Sequence, residues 1–186
     1  MDPRRWRGDP FGTGRGQVFR RCWVTVRHVR IDNRLVHGQV VVTWLQAERA
    51  DTIMVANDGI AADDFQKTML LAVKPPSVNE VILSVDEALA YLKDPSHANE
   101  GIFMLVKEPG DALRLHRGGL ETKTMNVGNM AFAAGSKRVT RTVFVTDKDV
   151  QAFKQLHDEG VELTARMMPT DRRNDFMQLL KEAKLL

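Results

Sequence analysis

The stretch VTVRHVRIDNRLVHGQVVVTWL, residues 24–45, sets a β-branched run against a polar turn and follows the turn with an apolar run of helical spacing. Val24, Val26, Val29 and Ile31 read as a strand. Val40, Val41, Val42, Trp44 and Leu45, after Gly38, read as the buried stripe of a helix. His37 therefore falls where a strand hands over to a helix, and Arg30, Asp32 and Arg34 share its turn.

Outward from this unit the same alternation continues, which is the pattern of strands joined by crossover helices. Strands are expected over residues 24–31, 52–57, 80–84, 102–107, 122–127, 139–145 and 161–167, and helices over 38–48, 62–73, 85–93, 109–117, 147–159 and 170–183. Asp147 and Thr170 read as helix starts, and Gly160 as the stop of the helix that Asp147 opens. The segments Ile-Met-Val-Ala (53–56) and Ile-Phe-Met-Leu-Val (102–106) are apolar throughout, as strands covered on both faces must be. The expected fold is α/β: a doubly wound, mostly parallel open sheet of about six or seven strands with helices on both faces. Ligands in such sheets collect at the carboxyl ends of the strands, and His37 lies just past the end of the first.

At 186 residues and 43% hydrophobic composition, the chain has the length of one domain with a sizeable core. Its charge is unevenly placed. Residues 1–30 hold 8 of the 27 basic and 2 of the 24 acidic residues, so the remainder is mildly acidic, with 19 against 22. The pI of about 9.2 thus comes from the beginning of the chain and does not mark a nucleic-acid surface. Residues 1–22 read as a disordered Arg/Gly-rich extension and residues 23–186 as a single domain. The extension has no apolar run that would serve as a signal peptide or a membrane span. A single cysteine, Cys22, excludes an intramolecular disulfide framework and a cysteine metal cluster. The chain reads as cytosolic, and no metal site or cofactor is expected.

The turn around His37 has the groups that a transferable anion requires. A neutral imidazole nitrogen is a nucleophile at neutral pH, and Arg34 offers a planar fork of donors matched to phosphoryl oxygens. Gly38 and Gln39 would open the following helix, where unpaired N–H groups and the positive end of the helix dipole favour negative charge. Asp32, which would repel a phosphoryl group, is assigned to positioning Arg34 or orienting the ring. Arg30 is placed in support of the same loop. The bland alternative, a surface histidine beside solvated arginines, loses ground because Arg, Asp, His and Gly converge on one strand-to-helix turn.

Other signals are weaker. His28 falls within the first strand and reads as structural, while His97, His116 and His157 read as surface residues. The glycines Gly12, Gly14 and Gly16 follow no strand and lack the spacing of a nucleotide loop, which disfavours a nucleotide-binding domain. Lys137, Arg138 and Arg141 read as a solvated edge, and the nine methionines as core filler.

Residues 30–40 resemble the active-site signature of the IIB components of the mannose/fructose/sorbose family of the bacterial sugar phosphotransferase system. Further matches follow in the family's order: Val55-Ala-Asn-Asp58 with Ala61, Asp63 and Lys67; Asn126-Val-Gly-Asn-Met130; and Arg166 with Pro169. Residue 33 is Asn where many members have Asp, and the stretch before Val24 lies outside the resemblance.

The resemblance implies a phosphohistidine carrier. It would take a phosphoryl group from a IIA component and pass it to a sugar imported by membrane IIC and IID components. His37 would be the acceptor, flanked by Arg34 and Asp32, with Asn57, Asp58, Asn126 and Gly128 as loop support beside Arg30, Gly38 and Gln39. It also implies a cytoplasmic protein held at the inner face of the membrane by its permease, and leaves assembly with further copies of itself open. A regulatory phosphoprotein without sugar transfer of its own is the alternative. For the loop at Asn126, a turn that merely needs glycine is an equal alternative, and Asp58 is similarly ambiguous.

Overall fold

The computed structural model describes residues 25–186; residues 1–22, Cys22 and the expected strand start at Val24 lie outside that range. The chain begins β1 (Thr25–Asp32), α1 (Gly38–Glu48), β2 (Thr52–Ala56), α2 (Asp58–Ala61), α3 (Asp64–Val73), β3 (Asn79–Leu83) and α4 (Val85–Lys93). It continues β4 (Gly101–Val106), α5 (Pro109–Arg117), β5 (Thr124–Asn129), β6 (Lys137–Arg138), β7 (Phe144–Val145), α6 (Asp147–Asp158), β8 (Glu162–Ala165), β9 (Asn174–Asp175) and α7 (Phe176–Glu182).

Seven strands form one sheet in the order β3-β2-β4-β1-β5-β8-β9. All its pairs are parallel except β8 with β9, which run antiparallel. β2 and β4 are buried at every position, the result of cover on both faces. On one face Ile31, Met104 and Val127 pack beneath side chains of α4, α5, α6 and α7. On the other, Ile53, Phe103 and Leu105 pack beneath Val41, Trp44 and Leu45 of α1 and Ile60 of α2. Because the chain leaves β1 for β2 on one side and β5 lies on the other, the loop after β1 opens at the carboxyl edge where the two halves part.

Several elements differ from the expectation. The helix over 62–73 is preceded by a separate short one, because the Asp63 carboxylate accepts the Gln66 amide and starts α3 afresh after α2 ends. Residues 139–145 do not join the sheet. The amides of Val139 and Thr140 both donate to the Val143 carbonyl, which bends the chain; Val143 makes a single parallel bridge with Met130, and Phe144–Val145 pairs antiparallel with β6. The helix over 170–183 begins later than expected: the Asp171 carboxylate accepts the Met168 amide in a turn, β9 adds to the sheet, and Asp175 caps α7. The strand over 122–127 lies at Thr124–Asn129, and that over 161–167 shortens to Glu162–Ala165. The cap of α6 is Thr146, in a reciprocal capping box with Asp149, and Gly160 follows the helix with φ of 92°.

Candidate active site

Val29 and Ile31 enter the core beneath α4 to α7, so the alternation of β1 turns Arg30 and Asp32 to the face that α1 covers. Both are buried, Arg30 at 1% exposure and Asp32 at 0%. A charge so placed needs a partner, and each supplies the other: Arg30 Nε and Nη2 donate to Asp32 Oδ2 at 3.2 and 3.0 Å. Arg30 Nη1 donates to Asn126 Oδ1 and to the Arg166 carbonyl, the latter at 3.2 Å. Burial lowers the Arg30 pKa, and the Asp32 charge opposes that shift. Gly128 makes room for the guanidinium, since a β-carbon there would lie 2.0 Å from Arg30 Nη2.

The remaining oxygen of Asp32 shapes the turn. Oδ1 accepts the Arg34 amide at 3.1 Å, and the Leu35 amide donates to the Asp32 carbonyl at 3.0 Å. Asn33 is tied to the end of β5: its amide donates to the Asn129 carbonyl, and Asn129 Nδ2 donates to its side-chain oxygen. Leu35 takes a left-handed backbone, φ 53°, while its side chain is buried in the α1 core. Val36 is buried beside it, which brings His37 to the start of α1.

His37 precedes α1 without a side-chain cap, and the first turn of that helix carries no acidic residue. Gly38 opens it at φ 44°, a conformation that glycine holds without steric cost. By contrast, α2, α3, α4, α6 and α7 each have a side chain on their first free amides. The start of α1 therefore keeps its amide donors and positive dipole end for something else. His37 Nδ1 lies 2.8 Å from the Leu35 carbonyl oxygen, so in this conformation it carries the proton and donates; Nε2 is covered. The Arg34 side chain is half exposed, with its fork turned toward the Met167 sulfur.

Beneath the turn, the Trp44 indole donates to the Met167 carbonyl at 2.9 Å. The guanidinium groups of Arg166 and Arg30 lie 4.8 and 5.5 Å from its ring centroid. His28 stacks on Trp44 and Phe103. Burial, and then the charges of Arg30, Arg166 and Arg173, hold its pKa down at about 3, so it is neutral at neutral pH. The site is a cationic pocket with one buried carboxylate, poised around a histidine at an open helix start.

The family described as the PTS system sorbose subfamily IIB component matches residues 26–186. The chain belongs to this family. It is 37% identical over 152 residues to the fructose-specific EIIB component of Bacillus subtilis, covering 82% of this chain and 93% of that one. It is 36% identical over 160 residues to the mannose-specific EIIAB component of Escherichia coli, covering 86% of this chain and half of that longer protein. The crystal structure of the IIB domain of the sorbose permease from Klebsiella pneumoniae superposes with a TM-score of 0.82 at 32% identity, over 85% of this chain and 97% of the other. IIB components of this system are phosphotransferases.

Against the expected site of a IIB component, the structure gathers Arg30, Asp32, Arg34, His37, Gly38, Gln39, Asn126 and Gly128 around the end of β1. Their roles divide. Arg30, Asn126 and Gly128 lie beneath the turn and hold Asp32, so Gly128 serves close packing on a guanidinium. Gln39 is exposed on the first turn of α1. Asn57 and Asp58 sit at the end of β2 with their polar atoms engaged elsewhere. Asn57 caps α2 and donates to Asp111 at 2.7 Å, while Asp58 accepts the Val85 amide and pairs with Arg114. His97 and His116 are partly buried and face Glu100 and Glu159, whereas His157 is exposed. Sequence reasoning missed Trp44, Met167 and Lys107 as neighbours of the turn, since nothing local distinguishes them from core and surface residues.

Proposed function

We propose that His37 is a phosphoryl acceptor. It takes the group from a phosphohistidine on a IIA-type donor and passes it to a sugar brought by membrane IIC and IID components. The observation that carries this reading is the uncapped, acid-free start of α1 directly after a histidine, with the half-exposed guanidinium of Arg34 alongside, its Nε 3.7 Å from Asp32 Oδ1. In the first transfer, the nitrogen–phosphorus bond of the donor breaks as one forms to a His37 ring nitrogen, and the donor ring recovers its electron pair. In the second, the His37 bond breaks as a sugar hydroxyl oxygen takes the phosphorus and its proton leaves to solvent or a base. Neither step changes an oxidation state. The amides of Gly38 and Gln39 and the guanidinium of Arg34 stabilise the charge in flight, while Arg30 and Asp32 hold the turn from below.

The ring must first come free. With Nδ1 on the Leu35 carbonyl and Nε2 covered, the free protein holds a resting conformation, and rotation of the His37 side chain precedes transfer. The test is phosphoryl transfer from phosphoenolpyruvate through the general phosphotransferase proteins and a IIA donor, read by intact-protein mass spectrometry. Wild type gains one acid-labile phosphoryl group, while His37→Ala gains none and retains its unfolding midpoint. A stoichiometric label on His37→Ala overturns the assignment.

A further inference from the structure

We propose that Lys107 is a docking cation of the transfer face, one that meets an anionic oxygen group carried by the phosphodonor protein; the inference rests on the function proposed above. β4 ends at Val106, which is in register with Ile31 of β1, so Lys107 stands level with Asp32 at the carboxyl edge of the sheet. Phe103 and Leu105 of the same strand point into the core beneath α1, and the alternation turns Lys107 to that face.

Two clefts flank the Asn33–Leu35 turn. One, of about 230 Å³, runs from Arg34 and Leu35 to Ile60, Gln66 and Met69. The other, of about 270 Å³, runs from Asn33 to Met130, Ser136 and Phe144. Lys107 and Asn33 line both.

Carboxylates at this end of the sheet are already engaged. Asp32 holds Arg30 and the Arg34 amide, Asp58 holds Arg114, Asp111 holds Asn57, and Asp149 closes the cap of α6. Glu108, next in the chain, is exposed and not in ion-pair contact with it, and Lys148 adds a second cation to the far cleft. Lys107 is partly buried as a residue, and among the described residues its ammonium has no ion-pair or hydrogen-bond partner. A compact, strongly charged group on a flexible stem, held by no neighbour and set between two clefts beside the turn, suits an anion that arrives and leaves. The anion is a donor carboxylate or the phosphoryl group itself. In either case it contributes to encounter more than to the chemical step.

The test is the concentration dependence of transfer from phosphorylated IIA to Lys107→Gln, Lys107→Met and Lys107→Arg variants of the full chain. Lys107→Gln and Lys107→Met are expected to raise the half-saturating donor concentration about 3- to 10-fold while the saturating rate stays within about twofold, and Lys107→Arg to stay near wild type. The loss shrinks in 1 M salt, because it is electrostatic. Unphosphorylated donor, used as a competitor, separates the two sources. If its inhibition weakens by the same factor, the anion is a donor carboxylate; if only the phosphorylated donor is affected, it is the phosphoryl group. An unchanged half-saturating concentration, or one raised equally in high salt, overturns the proposal. Absence of any label on wild type from several donors removes the function itself, and the docking role with it.

Discussion

The ends of β1 and β2 lie at the same edge of one sheet. Each hands over to a helix through Asp and Asn, and their chemistry differs entirely. At β2, Asn57 caps α2 and donates to Asp111, while Asp58 receives the Val85 amide and Arg114. At β1, Asp32 is drawn beneath the turn by Arg30, so the loop above keeps a histidine, an arginine fork and an uncapped helix start. The residue types alone do not separate an open site from a satisfied one. What separates them is where the carboxylate goes: beneath the turn at β1, where it holds Arg30 and the Arg34 amide and leaves the start of α1 without an anion, and onto the surface at β2, where it pairs with the Val85 amide and Arg114.

The difference is open to attack by substitution. Asp32→Ala leaves Arg30 charged and buried without its partner, and is expected to cost about 3–5 kcal/mol in urea unfolding. A cost below 1 kcal/mol would mean that the pair is not the foundation of the turn. Arg34→Gln is expected to slow phosphoryl transfer about 100-fold in single-turnover measurements at saturating donor, with the unfolding midpoint unmoved, since the side chain is half exposed and makes only loose contacts.

A third difference appears with pH, because only the β1 end rests on a buried base. His28 stays neutral in the native state down to a pKa of about 3, whereas the unfolded chain takes up its proton near 6.5. Its contribution is therefore complete above pH 6.5 and falls by about 1.4 kcal/mol for each unit below, about 2 kcal/mol by pH 5. Denaturant titrations of wild type and His28→Phe at pH 7 and pH 5 check this, and the variant is expected to lose the extra slope. The smallest effect belongs to the other strand end. Asp58→Ala removes a pair that is about half exposed, and is expected to cost less than about 1 kcal/mol and leave transfer unchanged. A loss of transfer there would place β2 in the site after all.

The central strands were legible because β2 and β4 are apolar at every position, and β1 with α1 because the spacing changes at Gly38. The break at Asp63 was not, because a surface aspartate reads the same within a helix as at its cap until the Gln66 amide is seen to reach it. The bend at 140–142 escaped because its β-branched residues favour strands, and only the convergence of two amides on the Val143 carbonyl shows otherwise. In the site, His37 and Arg34 stand out by type and spacing. The burial of Arg30 does not, because an arginine at a strand end belongs by default in water, and its cavity is set by Gly128 and Asn126, about a hundred residues away in sequence. Lys107 escapes for the same reason, its setting being made by two clefts that meet only in the folded chain.

The bond from the Trp44 indole to the Met167 carbonyl clamps α1, two turns below His37, to the chain leaving β8. The helix is thereby a fixed post rather than a moving arm. Uncovering the imidazole for the proposed transfer is then expected to need one side chain and a few loop dihedrals, a class of motion that takes nanoseconds to microseconds. Amide exchange should accordingly be fast across the turn after β1 and slow in the body of α1, and the phosphoryl transfer proposed above should be paced by encounter rather than by reshaping of the fold.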